Sequence, residues 1–401
     1  MFSLKSIFLS IFMSLFIYLE YFGLTNSFVN TIVGLFSFYL LFRLNKKELF
    51  FAGFLIGILW FWWIGYSFIY YNLLYIIPFI LIGIGLIYGI LFYIGGLVDN
   101  LLYKITYFFI LSFISPFGFN WFMLELPFIN SYFGTSKLDL FIILVATAGL
   151  IYFQNQNKFK IAILFYSISL ISLSMLNKPI LNTEPSNLKI KMQNTSISQA
   201  KKWDKKYRDI ILKENFDNIK IAIEKKYDLI IFPETSFPLV LNHQKYIQKE
   251  LLNYSKDISI VLGALYEKDG LLYNSSYLFN NGEMKIANKV VLVPFGEAVP
   301  LPEKIRDFIN DTFYNGAKDY ETAKEPTTFN IKGTKFRNAI CYEATTNEIY
   351  KKLDTPYVIA ISNNAWFTPS PQPVLQRLLM KYYANKYHLY IYNVTNKEPV
   401  K

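Results

Sequence analysis

A multi-pass α-helical membrane domain followed by a layered α/β domain is the fold class this sequence predicts, on three observations. Charge is unevenly divided: of 40 Lys/Arg and 29 Asp/Glu in the 401 residues, eight and five fall within residues 1–176, leaving 32 and 24 to the rest. The charge-poor part breaks into apolar runs that approach the roughly 20 residues a spanning helix needs. The remainder alternates short apolar strands with amphipathic stretches and turn signals, at a charge density ordinary for a soluble domain. The expected domains are 1–177, about seven transmembrane helices, and 188–396.

Seven apolar segments are expected to span: 6–23, 27–43, 49–70, 73–97, 103–120, 138–154 and 160–176. Gly57, Gly65, Gly83, Gly85 and Gly89 lie in the third and fourth, where small residues let helices approach. The first segment is too long, and too soon followed by a second, to read as a cleaved signal peptide. With the N-terminus cytoplasmic, the inner loops carry Lys5, Arg43, Lys46, Lys47, Lys104, Lys158 and Lys160, and the outer loops carry Lys137 and Lys178. That bias toward the inside, with an odd number of spans, places the second domain outside the cytoplasm. Glu20, near the end of its segment, is expected to reach the interface. Glu125, within the apolar stretch Trp121–Pro127, is expected along the outer bilayer surface, facing the second domain. The net charge of +11 describes no single surface, and the lysines are scattered among acids rather than gathered in a stripe, so nucleic-acid binding is not indicated.

In the second domain, strands are expected at Leu188–Gln193, Asp228–Phe232, Ile258–Ala264, Leu271–Phe279, Lys285–Val293, 326–332, 335–340 and Val358–Ser362. Helical spacing of Ile and Phe marks Lys205–Lys226, and Glu343–Lys352 reads as a helix start. Asn281-Gly282 is a strong hairpin signal.

The single cysteine, Cys341, ends an apolar strand. A lone thiol is either an inert small hydrophobe or a nucleophile. A reactive atom at a sharp turn after a strand is a recurring device of α/β enzymes, and the position favours the second reading. Thiolate rather than thiol attacks a carbonyl, so a base or a cation is required. The two histidines, His243 and His388, sit at no strand end. Glu234 follows the apolar strand Leu229–Phe232, where partial burial would suit a carboxylate to act as base. Lys289 begins an otherwise apolar stretch, an unusual place for a solvated lysine, and would stabilise an oxyanion. Alone, it could equally be an edge-strand charge that blocks aggregation.

Glu234, Lys289 and Cys341, in that order and each in a strand-end context, resemble the triad of the nitrilase superfamily, and more closely the apolipoprotein N-acyltransferase family. The resemblance runs from the spans to about Asn396. It rests on Met192-Gln193-Asn194, Gln199 to Trp203, Phe232-Pro233-Glu234-Thr235, Lys289 with Leu292 to Glu297 and Val299-Pro300, Cys341-Tyr342-Glu343, and Ser362 to Phe367, with Asn364 where aspartate is usual. Tyr383-Ala384-Asn385-Lys386 departs from the family's Arg-Ala-x-Glu. The family continues past the equivalent of Asn396 through further strands and a last helix, so the catalytic domain is expected to be truncated at its C-terminus.

The resemblance implies an α-β-β-α sandwich with Glu234 as base, Lys289 as oxyanion stabiliser and Cys341 as nucleophile, supported by Glu297, Tyr342, Glu343 and Trp203. It implies an acyl donor, a phospholipid of the bilayer (phosphatidylethanolamine in the family), and an acceptor, the diacylglyceryl-cysteine of an apolipoprotein. It implies no cofactor and no metal. The expected location is the bacterial inner membrane, with the catalytic domain on the periplasmic side. Two alternatives stay open on the sequence: a membrane-anchored amidase of nitrilase type, which differs only in using water as acceptor, and an inactive truncated family member that binds lipid.

Overall fold

The computed structural model describes residues 3–176, 183–313 and 319–398. The chain divides into two compact units, one of Met1–Ile180 with Ser370–Tyr382, the other of Leu181–Pro369 with Tyr383–Lys401.

The first unit is a set of apolar helices: α1 Leu4–Tyr21, α2 Ser27–Arg43, α3 Lys46–Phe61, α4 Ile77–Gly95, α5 Leu101–Leu111, α6 Lys137–Asn155 and α7 Phe159–Leu176. Polar residues at the connections start them. Asn26 and Asn100 accept main-chain N–H groups of the first turns of α2 and α5, and Asn45 with Glu48 and Ser136 with Asp139 form capping boxes. Each of the seven expected segments is helical. Five segments, Leu4–Tyr21, Lys46–Tyr71, Leu74–Gly95, Leu101–Gly118 and Lys137–Asn155, are long and apolar enough to cross a membrane, and Ser27–Arg43 and Phe159–Met175 are shorter. Two differ in form from expectation. The third leaves the α-helix at Phe61 and continues as a 3₁₀ helix over Trp62–Tyr71, and the fifth stops at Leu111, before Pro116, which cannot donate to a helix. The α3–α4 contact uses a small residue as expected: a Cβ on Gly57 would meet the Tyr88 ring at 2.8 Å. Lys178 lies outside the described residues.

The Glu125 expectation is corrected. Trp121, Phe122, Leu124, Leu126 and Phe128 are buried within the helical unit, with Phe122 against Trp60, Tyr88 and Phe92 and Phe128 against Phe38. Glu125 is itself buried and pairs with Lys137 Nζ at 2.6 Å. So apolar a stretch gains more by packing between helices than by lying on a wet surface. Glu20 is 21% exposed and takes polar contacts from Thr25, Asn130 and Arg377, the last belonging to the same unit.

The second unit is built on two sheets. One runs β1 Ile190–Met192, β2 Leu229–Ile231, β3 Ser259–Lys268, β4 Leu271–Asn280 and β5 Glu283–Asn288, in chain order, with β1–β3 parallel and β3–β5 antiparallel. The other runs β6 Thr328–Ile331, β7 Thr334–Ile340, β8 Tyr357–Asn363 and β9 Tyr390–Asn396, with β6–β7 antiparallel and the rest parallel. Asn281, Gly282, Lys332 and Gly333 turn two of the hairpins at positive φ. Alternation along the strands sorts two cores. Leu229, Ile231, Val261 and Leu278 of the first sheet meet Phe336, Ile340, Ile359, Ile361 and Val394 of the second. On the opposite face Ile230, Phe232, Ile260, Leu262, Tyr277 and Phe279 meet Ile219 and Ala222 of helix α9, Lys205–Glu224, and Leu251 of helix α10, Lys245–Tyr254, which follow the short helix α8, Gln199–Lys202. Helix α11, Glu303–Phe313, also belongs to this unit, and helix α12, Gln372–Tyr387, is divided after Tyr382 between the two units.

Three local expectations change. Strand β9 was not anticipated, because Tyr390 to Asn396 mixes aromatic and polar residues without clean alternation. The strand expected through Val293 ends at Asn288, since the main chain beyond it is captured by carboxylates: Val290 N–H donates to Glu343 and Val293 N–H to Glu297. The stretch after Cys341 is not an α-helix but two 3₁₀ turns, Cys341–Thr345 and Asn347–Tyr350, separated at Thr346 with extended φ −124° and ψ 148°. The hydroxyls of Thr345 and Thr346 bond back to the carbonyls of Tyr342 and Glu343, which competes with helix propagation.

Candidate active site

The ends of β2, β5, β7 and β8 supply the site, as the carboxyl ends of strands do in α/β folds. After β2 ends at Ile231, Phe232 and Pro233 lead to Glu234 and Thr235, Thr235 in the left-handed region at φ 52°. Cys341 follows β7 at φ 56°. Neither residue adopts such a backbone readily, at a cost of roughly 1–3 kcal/mol each that the surrounding packing must sustain. The second 3₁₀ turn after the cysteine is fixed from below: buried Arg337, on β7, donates to the carbonyls of Ile349 and Lys352 at 3.2 and 3.0 Å.

Glu234 is held on both oxygens. Asn274 Nδ2, from β4, donates to Oε1 at 2.8 Å, and the main-chain N–H of Asn363, at the end of β8, donates to Oε2 at 2.8 Å. The same Asn274 Nδ2 donates to Glu297 Oε1 at 2.9 Å, so one amide bridges two carboxylates. Glu297 in turn lies 2.6 Å from Lys289 Nζ. Lys289 is fully buried; burial works to lower its basicity, but Glu297, Glu234, Cys341 and Glu343 act the other way and the net shift is upward, which keeps it an ammonium. Glu343 is buried and accepts the N–H groups of Val290 and Ile340 at 2.7 and 2.5 Å; burial dominates and pushes its carboxyl up to about 7. Burial likewise pushes the Cys341 thiol up to about 12, with Glu234 adding to the rise, while Lys289 and a backbone hydrogen bond from Asn363 oppose it. Acting as a nucleophile, such a thiol would need a base at the moment of attack.

Of the residues singled out by sequence, Glu234, Lys289, Cys341, Glu297 and Glu343 are thus placed within electrostatic reach of one another. Tyr342 is buried beside them in the chain. Trp203 ends α8 and is 46% exposed; among the described residues its side chain makes no hydrogen bond to this cluster. Asn274, Asn363 and the buried Lys202, which donates to the Glu234 carbonyl oxygen at 3.1 Å, were not anticipated as members. Gly263 on β3 explains how close Glu234 sits to the sheet: a Cβ there would lie 2.5 Å from Thr235 N and 2.7 Å from Glu234 Cα. Gly263→Ala should therefore displace the glutamate and lower by about a hundredfold the rate of any acylation of Cys341 in which Glu234 takes part, the scale of a misplacement near 1 Å. Single-turnover acylation read by mass spectrometry checks this.

This arrangement can deprotonate a thiol, stabilise an oxyanion beside a fixed cation, and hold a thioester. Comparison with known proteins fits that chemistry. The apolipoprotein N-acyltransferase integral membrane domain matches residues 1–173, and the carbon-nitrogen hydrolase domain matches residues 195–399. An apolipoprotein N-acyltransferase of Wolinella succinogenes is 38% identical over 395 residues, covering 98% of this chain and 94% of the relative. Proteins of the same name from Helicobacter hepaticus (36% identical, 92% of each chain) and Campylobacter jejuni (37% identical, 98% of this chain and 87% of the relative) match similarly. The helical unit is an integral membrane domain, the chain is a multi-pass membrane protein, and its second unit is an α/β domain of carbon-nitrogen hydrolase type. With both domains in this order and relatives matching nearly its whole length, the chain belongs to the apolipoprotein N-acyltransferase family.

Proposed function

We propose that the protein transfers an acyl chain from a membrane phospholipid, through a thioester on Cys341, to the N-terminal α-amino group of a diacylglyceryl-cysteine in an apolipoprotein. The observation that carries the reading is that a carboxylate anchored on both oxygens, a buried ammonium and a thiol follow the ends of β2, β5 and β7, with the ammonium in electrostatic reach of the other two. Glu234 takes the thiol proton as Sγ bonds to the ester carbonyl carbon, and Lys289 balances the charge on the tetrahedral oxygen. Collapse breaks the bond to the glycerol oxygen, which leaves as lysophospholipid with the proton from Glu234. The acceptor amine then attacks the thioester, gives its proton to Glu234, and the C–S bond breaks to yield the amide and the thiol. Glu297 and Glu343 hold Lys289 and the neighbouring main chain; Tyr342 and Trp203 complete the proposed set.

The membrane domain supports this choice of substrates. Both are lipids, and extracting either into water would cost about 0.8 kcal/mol per CH₂. Exposing the purified protein to phosphatidylethanolamine in micelles should add one acyl mass to the peptide containing Cys341, and a diacylglyceryl-cysteine peptide should discharge it as an amide. Discharge to water alone at the same rate would make the protein an amidase-type hydrolase, and no adduct would leave it a lipid-binding protein.

The positive-inside distribution of the loop charges supports an inner-membrane location with the catalytic unit in the periplasm. A fusion after Lys401 should be active with a reporter that requires export and silent with one that requires the cytoplasm. The opposite pattern would overturn the orientation.

A further inference from the structure

We propose that Lys202 is a positioning residue for the Glu234 base: its ammonium fixes the glutamate's main chain and adds a second cation to the cluster of carboxyls. This rests on the reading of Glu234 as base. Helix α8 is a single turn, and its residues Gln199 and Lys202, three apart and so on one face, are both buried although both are polar. Each reaches the surroundings of Glu234. Gln199 Oε1 accepts from Asn363 Nδ2 at 2.8 Å, and Asn363 is the residue whose main-chain N–H donates to Glu234 Oε2. Lys202 Nζ donates to the Glu234 carbonyl oxygen at 3.1 Å, immediately before Thr235 with its left-handed backbone.

Charge accounting gives the lysine a second task. Three carboxyls, Glu234, Glu297 and Glu343, adjoin one cation, Lys289, which lies 2.6 Å from Glu297. Asn274 and the Asn363 main chain give Glu234 hydrogen bonds but no formal charge. Lys202, 1% exposed, is a further cation, and Glu234 is the charged group that acts on it. Burial pushes its ammonium down to about 8, and Glu234 pulls the other way, toward the charged form. A buried lysine without such a task would be costly for the fold.

The test is the pH profile of Cys341 acylation in the full-length protein, in phosphatidylethanolamine micelles, from about pH 5 to about pH 9. Lys202→Gln keeps a donor for the Glu234 carbonyl and removes the charge. It should move the acid limb of the profile upward by about one pH unit, because a carboxylate that loses a neighbouring cation binds its proton more tightly. Lys202→Arg, which keeps the charge, should return the limb toward its wild-type position. Replacing a buried charge by an apolar chain of similar length is often neutral for stability, so Lys202→Met serves where Lys202→Gln does not fold. A limb unmoved in the charge-free variants would overturn the proposal, whatever happens to their melting temperatures. Glu234→Gln, run alongside, separates the two readings: if it acylates normally the base assignment fails, and if it is inert while the Lys202 profiles do not move, this inference alone fails.

Discussion

Replacing Cys341 with serine should abolish formation of the acyl-enzyme while leaving the protein folded. The change swaps one small side chain for another at a half-buried position, so core packing is nearly untouched. The chemistry is not conserved. Burial and Glu234 already hold the thiol up to about 12, and a carboxylate base can assist it because sulfur is intrinsically nucleophilic even when little ionised. A hydroxyl is a weaker acid and a poorer nucleophile, and neither histidine of the chain is placed by sequence at a strand end to activate it. The expected fall in acyl transfer is at least about 10⁴-fold, in line with losing the nucleophile of a covalent mechanism. Intact-protein mass spectrometry after exposure to phospholipid measures it directly. Turnover at the wild-type rate in Cys341→Ala would remove the thioester from the mechanism.

Glu234 and Cys341 could be singled out in the sequence because each follows an apolar strand, a position that local pattern does reveal, whereas Lys289, after the mixed strand β5, stood out only as a charge at the start of an apolar stretch. Glu234 follows Leu229–Phe232 and Cys341 follows Phe336–Ile340, and both runs form the buried strands expected. The partners that hold these side chains were not legible, for a physical reason. Asn274 lies in the middle of β4, where an isolated asparagine looks like a weak strand former. Its value comes from the register that sets β4 between β3 and β5 and so brings its amide to both Glu234 and Glu297. Asn363 contributes a main-chain N–H, which no side-chain pattern encodes. Lys202 stands beside Trp203, and hydropathy alone would bury the tryptophan and expose the lysine. The structure does the reverse: Lys202 is 1% exposed and Trp203 46%. The turn after Cys341 misled in the same way, since Glu343 to Lys352 has the composition of a helix, but Glu343 spends its carboxylate on Ile340 and Val290 and two threonines bond back to the chain.

Lys289→Met should lower Cys341 acylation by roughly 10²–10³, the scale of losing one oxyanion-stabilising group. It should also destabilise the catalytic unit near neutral pH by about 3–5 kcal/mol, because removing one partner leaves a buried charge uncompensated. The pH dependence separates an electrostatic lysine from a packing one. Glu343 is already raised to about 7 in the folded protein, with Lys289 pulling against that rise; without the lysine it rises further. A carboxyl whose folded affinity for a proton exceeds its unfolded one contributes stability that is fully present at low pH and lost as pH rises through the folded value. The deficit of Lys289→Met relative to wild type should therefore be small near about pH 5, where Glu343 can take up a proton, and should widen toward about pH 8. Apparent melting temperatures of the two proteins at both pH values give the comparison. A deficit of equal size at both would mean that Lys289 acts through its packed methylene chain, and unchanged acylation in a folded Lys289→Met would take the oxyanion role away from it.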